Sequence, residues 1–201
     1  MRSILKTLCM ILVFIFSAAA QDKGKDFLEN VQKKYKSTND ISADFKQSIS
    51  EKVVQTGKIF YSNGNKLRLE LKNSTIISDG AMIWNYNRSQ KKVIINNVSN
   101  SDPSFFSIDQ LLYDYPSKSN ITSENENNNI LLIPHKESEL NFKKARIWVN
   151  NDFLIMRISI ENLSGSIINL LFSNYKLNQN LPASKFTFSP PEGTNIIDLR
   201  K

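Results

Sequence analysis

The chain has 201 residues, 40% hydrophobic and 22% charged, the proportions of a single globular domain large enough to bury a sizeable core. Its formal net charge is +7, but the lysines are scattered singly among Asn, Asp and Glu, which excludes the basic stripe of a nucleic-acid binder and leaves a solvated surface with a weak attraction for anionic membranes. One cysteine and one histidine exclude a disulfide framework, a thiolate metal site and a two-histidine zinc motif within the chain.

The N-terminus reads as an export signal. Arg2 and Lys6 form a positive region, Leu8 to Phe16 an apolar one, and Ser17-Ala18-Ala19-Ala20 supplies small residues for cleavage before Gln21. The apolar run is too short for a comfortable membrane span. Removing residues 1–20 takes Cys9 with it and lowers the net charge by two, to +5. The expectation is a cleaved signal peptide followed by one domain, residues 21–201, held together by its core alone.

Residues 22–36 place Phe27, Leu28, Val31 and Tyr35 at helical spacing with lysines opposite, an amphipathic helix whose stripe must cover something. Ile41 to Ile49 alternates as a first strand, and Val53 to Tyr61 as a second. From Gly57 to Asn87 the sequence GKIFYSNGNKLRLELKNSTIISDGAMIWNYN reads as an antiparallel meander. Asn63-Gly64 and Asp79-Gly80 are tight-turn signals, and Lys72-Asn73-Ser74 is a looser connection. Lys91 to Val98 continues the sheet. Asp102 then offers an N-cap and Pro103 a first helical position, followed by Phe105, Phe106, Ile108, Leu111 and Leu112. A helix of about three turns that apolar either belongs to the core or plugs an apolar opening.

Lys118 to Asn129 is the loosest segment of the chain, and its Glu/Asn-rich run Glu124 to Asn129 reads as an exposed loop. Strands return at Ile130–Pro134, Phe142–Val149, Phe153–Glu161 and Ser166–Asn174, and Ala183 to Pro191 reads as a short edge strand stopped by its double proline. About eleven strands and two helices make an α+β architecture: a strongly curved antiparallel sheet with helices against its inner face.

No catalytic constellation emerges. A Ser/His/acid triad would need His135, which sits in the loop IPHKES with no nucleophile-elbow motif anywhere. Carboxylate pairs such as Glu137 and Glu139 lie in charged loops, and no Gly-rich phosphate loop is present. The chain is read as a non-enzyme without a cofactor or metal. The interior either fills itself or leaves a cavity for a hydrophobic guest, and composition does not separate the two.

Two motifs point further. IISDGAMIWNYN (Ile76–Asn87) and the C-terminal KFTFSPPEGTNIID (Lys185–Asp198) resemble the outer-membrane lipoprotein carrier protein (LolA) family, and so do ISADFKQ, the Gly57-x-x-x-Tyr61 opening and the helix after Pro103. The resemblance runs from Phe27 to the C-terminus. It implies an incomplete, unclosed β-barrel of eleven strands with a helical lid over a hydrophobic cavity. It also implies a monomeric periplasmic chaperone that takes triacylated lipoproteins from an inner-membrane ABC transporter to an outer-membrane receptor. A related sensing or binding module without a transport role is the alternative.

On this resemblance the lipid-binding cavity is expected at Phe45, Ile59, Leu67, Leu69, Trp84, Phe105, Phe106, Leu111 and Leu112, although each could be ordinary core packing. The chain departs from the family at one point. Where the family has Arg-Pro after the opening strand, the arginine bonding to the lid, this chain has Asn63-Gly64. A second family arginine matches Arg68, either a lid latch or an outward-facing strand residue.

Overall fold

The computed structural model describes residues 23–98, 107–123, 128–136 and 140–200. Helix α1 occupies residues 23–37. Six strands follow: β1 (Asp40–Ile49), β2 (Lys52–Ser62), β3 (Lys66–Leu71), β4 (Ser74–Asp79), β5 (Met82–Asn87) and β6 (Lys92–Asn97). A short helix α2 at residues 108–117 leads into β7 (Ser119–Thr122), β8 (Asn129–Pro134), β9 (Phe142–Val149), β10 (Ile155–Asn162) and β11 (Ile167–Leu177). A 3-10 turn at Ala183–Phe186 and β12 (Asn195–Asp198) complete the described chain.

All twelve strands form one sheet in the order β12-β6-β5-β4-β3-β2-β1-β11-β10-β9-β8-β7. Two meanders meet where β1 pairs antiparallel with β11, Phe45 opposite Phe172. Every pairing is antiparallel except β12 beside β6. Among the described residues β7 and β12 are the two edges and do not pair with each other. The sheet is an unclosed barrel.

Local chemistry sets its curvature. A Cβ on Gly57 would lie 2.0 Å from the Glu70 carbonyl oxygen, so only glycine lets β2 and β3 approach this closely. The β2–β3 connection is a three-residue loop, not the two-residue turn expected at Asn63-Gly64, because positive φ falls on Gly64 (84°) and Asn65 (58°). The second tight turn falls one residue later than expected, on Gly80-Ala81 between β4 and β5, with Asp79 ending its strand. Asp79 Oδ1 accepts from the amides of Ala81 (2.9 Å) and Met82 (2.8 Å), and Gly80 has φ 103° and packs against the Gly64 carbonyl.

The main core lies on the inner face. Leu28, Val31 and Tyr35 of α1 and Ile108, Leu111 and Leu112 of α2 pack with Phe45, Ile59, Leu67, Ile147, Ile158 and Phe172 of the strands. A second, smaller cluster of Ile77, Trp84, Val93 and Ile95 lies on the outer face, where Phe188 covers it. The tail explains that second layer. Ala183–Pro191 is not the edge strand that its alternation suggested: after Pro182 it turns through a 3-10 segment and crosses the outer face. Pro190 and Pro191 have no N–H to give a ladder. The edge strand comes later, at Asn195–Asp198. β7, within the segment that read as the loosest of the chain, is the other addition, and it raises the count from eleven to twelve.

Candidate functional site: an apolar interior under a helical lid

Strand alternation decides which side chains reach the interior. On β3, Leu67, Leu69 and Leu71 face inward while Arg68 and Glu70 face out. Phe45, Ile59 and Leu67 are buried in the inner cluster and the half-buried Leu69 packs against it. Phe45 meets Phe172 at 5.8 Å between ring centroids. Leu111 and Leu112 come in from the lid and are almost fully buried. Trp84 does not join them. Its neighbour Ile83 points inward, which sends the indole to the outer cluster under the tail. Phe105 and Phe106, with Asp102 and Pro103, lie outside the described residues.

Arg68 is not a lid latch. Its Nε donates to Glu70 Oε1 at 2.7 Å, and Lys185 Nζ reaches the same oxygen at 3.0 Å. Lys185 also sits 3.6 Å above the Phe60 ring. This outward cluster fastens the tail to β2 and β3. Burial alone would raise the Glu70 pKa, but hydrogen bonds from Lys185 and Arg68 outweigh it and hold the carboxyl below its ordinary value.

The lid is held by a different residue. Asp109 on α2 accepts from the Tyr61 hydroxyl (2.5 Å) through Oδ1 and from the Asn65 amide (2.5 Å) through Oδ2. Ser107 Oγ donates to Asn65 Oδ1 at 2.9 Å and accepts from the Gln110 amide at 3.2 Å. The β2–β3 loop thus grips the start of α2 through Asn65. Asn63, in the position of the family arginine, donates instead to the Thr38 carbonyl at 3.0 Å, just past α1.

α2 and α1 are also joined directly. The Gln110–Asp114 stretch is a π-type turn, with the Tyr115 amide bonding to the Gln110 carbonyl. Pro116 has no N–H to offer the Leu112 carbonyl, which accepts from Gln32 Nε2 at 2.6 Å instead. A surface cleft of about 550 Å³ opens beside the latch, lined by Lys36, Asn63, Asn65, Asp109, Tyr113 and Asp114.

Among the described residues, the inner face packs closely against both helices. A residual cavity of about 10 Å³ lies among Tyr35, Ile59, Tyr61, Ile108, Ile155, Phe172 and Tyr175, room for about one water molecule. Three phenols reach this apolar space and each has a partner. Tyr61 bonds to Asp109, Tyr175 donates to the Ile155 carbonyl, and the Ile155 amide donates to Tyr35 Oη at 3.3 Å. Burial pushes all three phenol pKa values well up, with Asp109 adding to the effect at Tyr61.

Sequence reasoning missed Asp109 and Tyr175, and gave no role to the hydroxyls of Tyr35 and Tyr61. One signal was available: Ser107-x-x-Gln110 has the spacing of a capping box and marks a helix start just before Asp109. The tyrosines carried no comparable mark, since their hydroxyls pair across long sequence separations.

An unclosed, twelve-stranded barrel whose apolar inner face is shut by two helices is the class of protein that fold and site define. Solved structures with the same fold include an uncharacterized conserved protein from Thermus thermophilus (TM-score 0.59, 11% identity, 88% of this chain and 99% of that one). A proposed outer membrane lipoprotein-sorting protein domain from Vibrio parahaemolyticus is another (TM-score 0.51, 12% identity, 83% and 97%). The sequence profile of the outer membrane lipoprotein carrier protein LolA family matches residues 36–189. Among curated relatives, the outer-membrane lipoprotein carrier protein of Francisella tularensis subsp. novicida is 24% identical over 96% of this chain and 97% of its own length. That of Pasteurella multocida is 26% identical over 98% of each. The chain belongs to the LolA family.

Proposed function

We propose that this protein is a periplasmic chaperone that shields the acyl chains of lipoproteins, receiving them from an inner-membrane ABC transporter and delivering them to an outer-membrane receptor. The observation that carries the reading is an apolar inner face closed by a helix that is held through few polar contacts. A triacylated lipoprotein has on the order of 40 to 50 acyl methylenes, each worth about 0.8 kcal/mol when removed from water. Crossing an aqueous compartment unshielded would cost roughly 30 kcal/mol or more.

The inner cavity among the described residues, about 10 Å³, does not hold such chains, so in this reading α2 moves to admit them. Opening breaks the two bonds to the carboxylate, about 3–6 kcal/mol in total, and re-exposes Ile108, Leu111 and Leu112, about 1.5–3 kcal/mol each; burial of about nine to nineteen methylenes offsets the sum. Lid opening is therefore within the reach of one to two acyl chains, and the lid closes again after release. In this reading Phe45, Ile59, Leu67 and Leu69 line the opened cavity, while Leu111 and Leu112 come from the lid side. Trp84 and Arg68 take no part.

The test is release of a triacylated lipoprotein from inner-membrane vesicles that carry the transporter. The soluble fraction should gain lipoprotein in a one-to-one complex with this protein when ATP is present. Lipoprotein that stays with the vesicles at every carrier concentration would contradict the role.

A further inference from the structure

The β1–β2 hairpin is longer than the sheet around it. β3 begins to pair with β2 only at Gly57, opposite Leu71, so residues 52–56 of β2 have β1 on one side and no described strand on the other. Five strand residues reach about 17 Å. All five are exposed, so this half of the hairpin is covered on neither face. It stands beside the β10–β11 turn, held there by the Ser50 amide bonding to the Ile167 carbonyl at 3.0 Å. The two hairpins form one projecting lip at the end of the barrel opposite the Asp109 latch.

The lip is apolar where a soluble protein has no internal reason for it to be. Ile49, Val53, Val54, Leu163 and Ile167 are each between 39% and 47% exposed. Exposed lysines surround them, Lys46 and Lys52 on the hairpin and Lys143 and Lys144 on β9. Two carboxylates stand among them, the exposed Glu51 in the β1–β2 turn and Glu161, which Lys144 already holds at 3.1 Å. The patch is also continuous with the interior: Ile49 pairs with Ile168, whose side chain packs against the inner core.

We infer that this lip docks on the surface of an anionic phospholipid bilayer, with its aliphatic tips in the headgroup region and its lysines against the lipid phosphates. Aliphatic side chains ringed by lysine are the composition of an interfacial anchor, and the positive charge complements that surface. The tips carry none of the Trp, Tyr or Arg side chains on which protein–protein interfaces concentrate their energy. Continuity with the inner face gives a consequence that rests on the carrier reading. An acyl chain leaving the interior along Ile168 and Ile49 would enter the bilayer without crossing water.

The experiment is flotation of the exported, purified protein, without lipoprotein, on vesicles of phosphatidylcholine alone and of phosphatidylcholine mixed with phosphatidylglycerol. The protein should float with the mixed vesicles and much less with the neutral ones. Added salt should weaken the binding. Val53→Asn with Val54→Asn, two exposed positions outside the core, should lower the vesicle partition by about tenfold, with an unchanged circular dichroism spectrum and unchanged capture of a triacylated lipopeptide. Lys52→Gln should remove part of the salt dependence. Absence of flotation on the mixed vesicles, or a double variant that floats as the parent does, overturns the inference. Vesicle binding without lipopeptide capture would instead retain the docking surface and refute the carrier role.

Discussion

Replacing Asp109 by alanine removes both acceptors that hold α2 against the β2–β3 loop. The Tyr61 hydroxyl and the Asn65 amide each lie 2.5 Å from a carboxylate oxygen, and hydrogen bonds to a charged group contribute about 1.5–3 kcal/mol apiece. The cleft beside the latch is open to solvent and is lined by Asn65 and Asp109 themselves. Water can therefore take up part of what the carboxylate leaves, which places the loss near the lower bound, about 3 kcal/mol. In the carrier reading the closed state, with a cavity of about 10 Å³ among the described residues, admits no acyl chain, so a lipopeptide binds only the open fraction and its apparent affinity scales with that fraction. Asp109→Ala should then tighten binding of a fluorescent triacylated lipopeptide by up to about a hundredfold and slow its release. Asp114→Ala is the control, because Asp114 lines the same cleft and its carboxylate takes no part in the latch. A folded Asp109→Ala protein that binds the lipopeptide no more tightly than its parent would refute the latch.

Tyr61→Phe keeps the ring and removes one of the two bonds, so its apparent affinity should rise by about tenfold, measured in the same assay. The tail fastening should be sensitive to acid. The folded-state pKa of Glu70 lies below its ordinary 4.5, so its stabilising contribution is present above that value and is lost as pH falls through the depressed one. Hydrogen exchange across Ala183–Asp198 should accelerate in that acid range, and Glu70→Gln should make the tail loose at every pH. At the alkaline end, Tyr35, Tyr61 and Tyr175 have raised pKa values. Their contribution is complete below pH 10, the ordinary phenol value, and declines as pH rises above it. In an ultraviolet titration these three of the six tyrosines should ionise only together with unfolding. Gly57→Ala forces β2 away from the Glu70 carbonyl and should cost about 2–3 kcal/mol, lowering Tm by roughly 5–10 °C.

The parts of the fold that could be read in the sequence are those fixed by local periodicity. The 27, 28, 31, 35 spacing of α1 placed Leu28, Val31 and Tyr35 in the core, and the alternation of β1 and β3 put Phe45, Leu67 and Leu69 on the inner face. Trp84 was misplaced because β4 to β6 are buried on both faces. With Ile83 and Trp84 adjacent and both apolar, alternation does not say which one points inward. The deciding fact is the tail, whose Phe188 covers the outer cluster from more than a hundred residues further along the chain.

β12 and β7 were missed for a related reason. β12 is four residues long and pairs in parallel with a strand nearly a hundred positions earlier, and β7 is equally short. Neither segment has enough residues to establish a period of its own. At the lid, the sequence marked Asn63-Gly64 as a departure from the family pattern. What replaced that pattern required the fold, since the acceptor sits on α2 and its donors on β2 and the β2–β3 loop, 48 and 44 residues away.

Equilibrium binding of a triacylated lipopeptide, and of the same peptide without its acyl chains, to the exported and purified protein tests the central claim most directly. The account predicts saturable one-to-one binding of the acylated peptide, faster hydrogen exchange in α2 on binding, and no binding of the deacylated form. A well-folded protein that ignores both peptides, or binds both equally, would mean that the inner face is a packed core and not a lipid site.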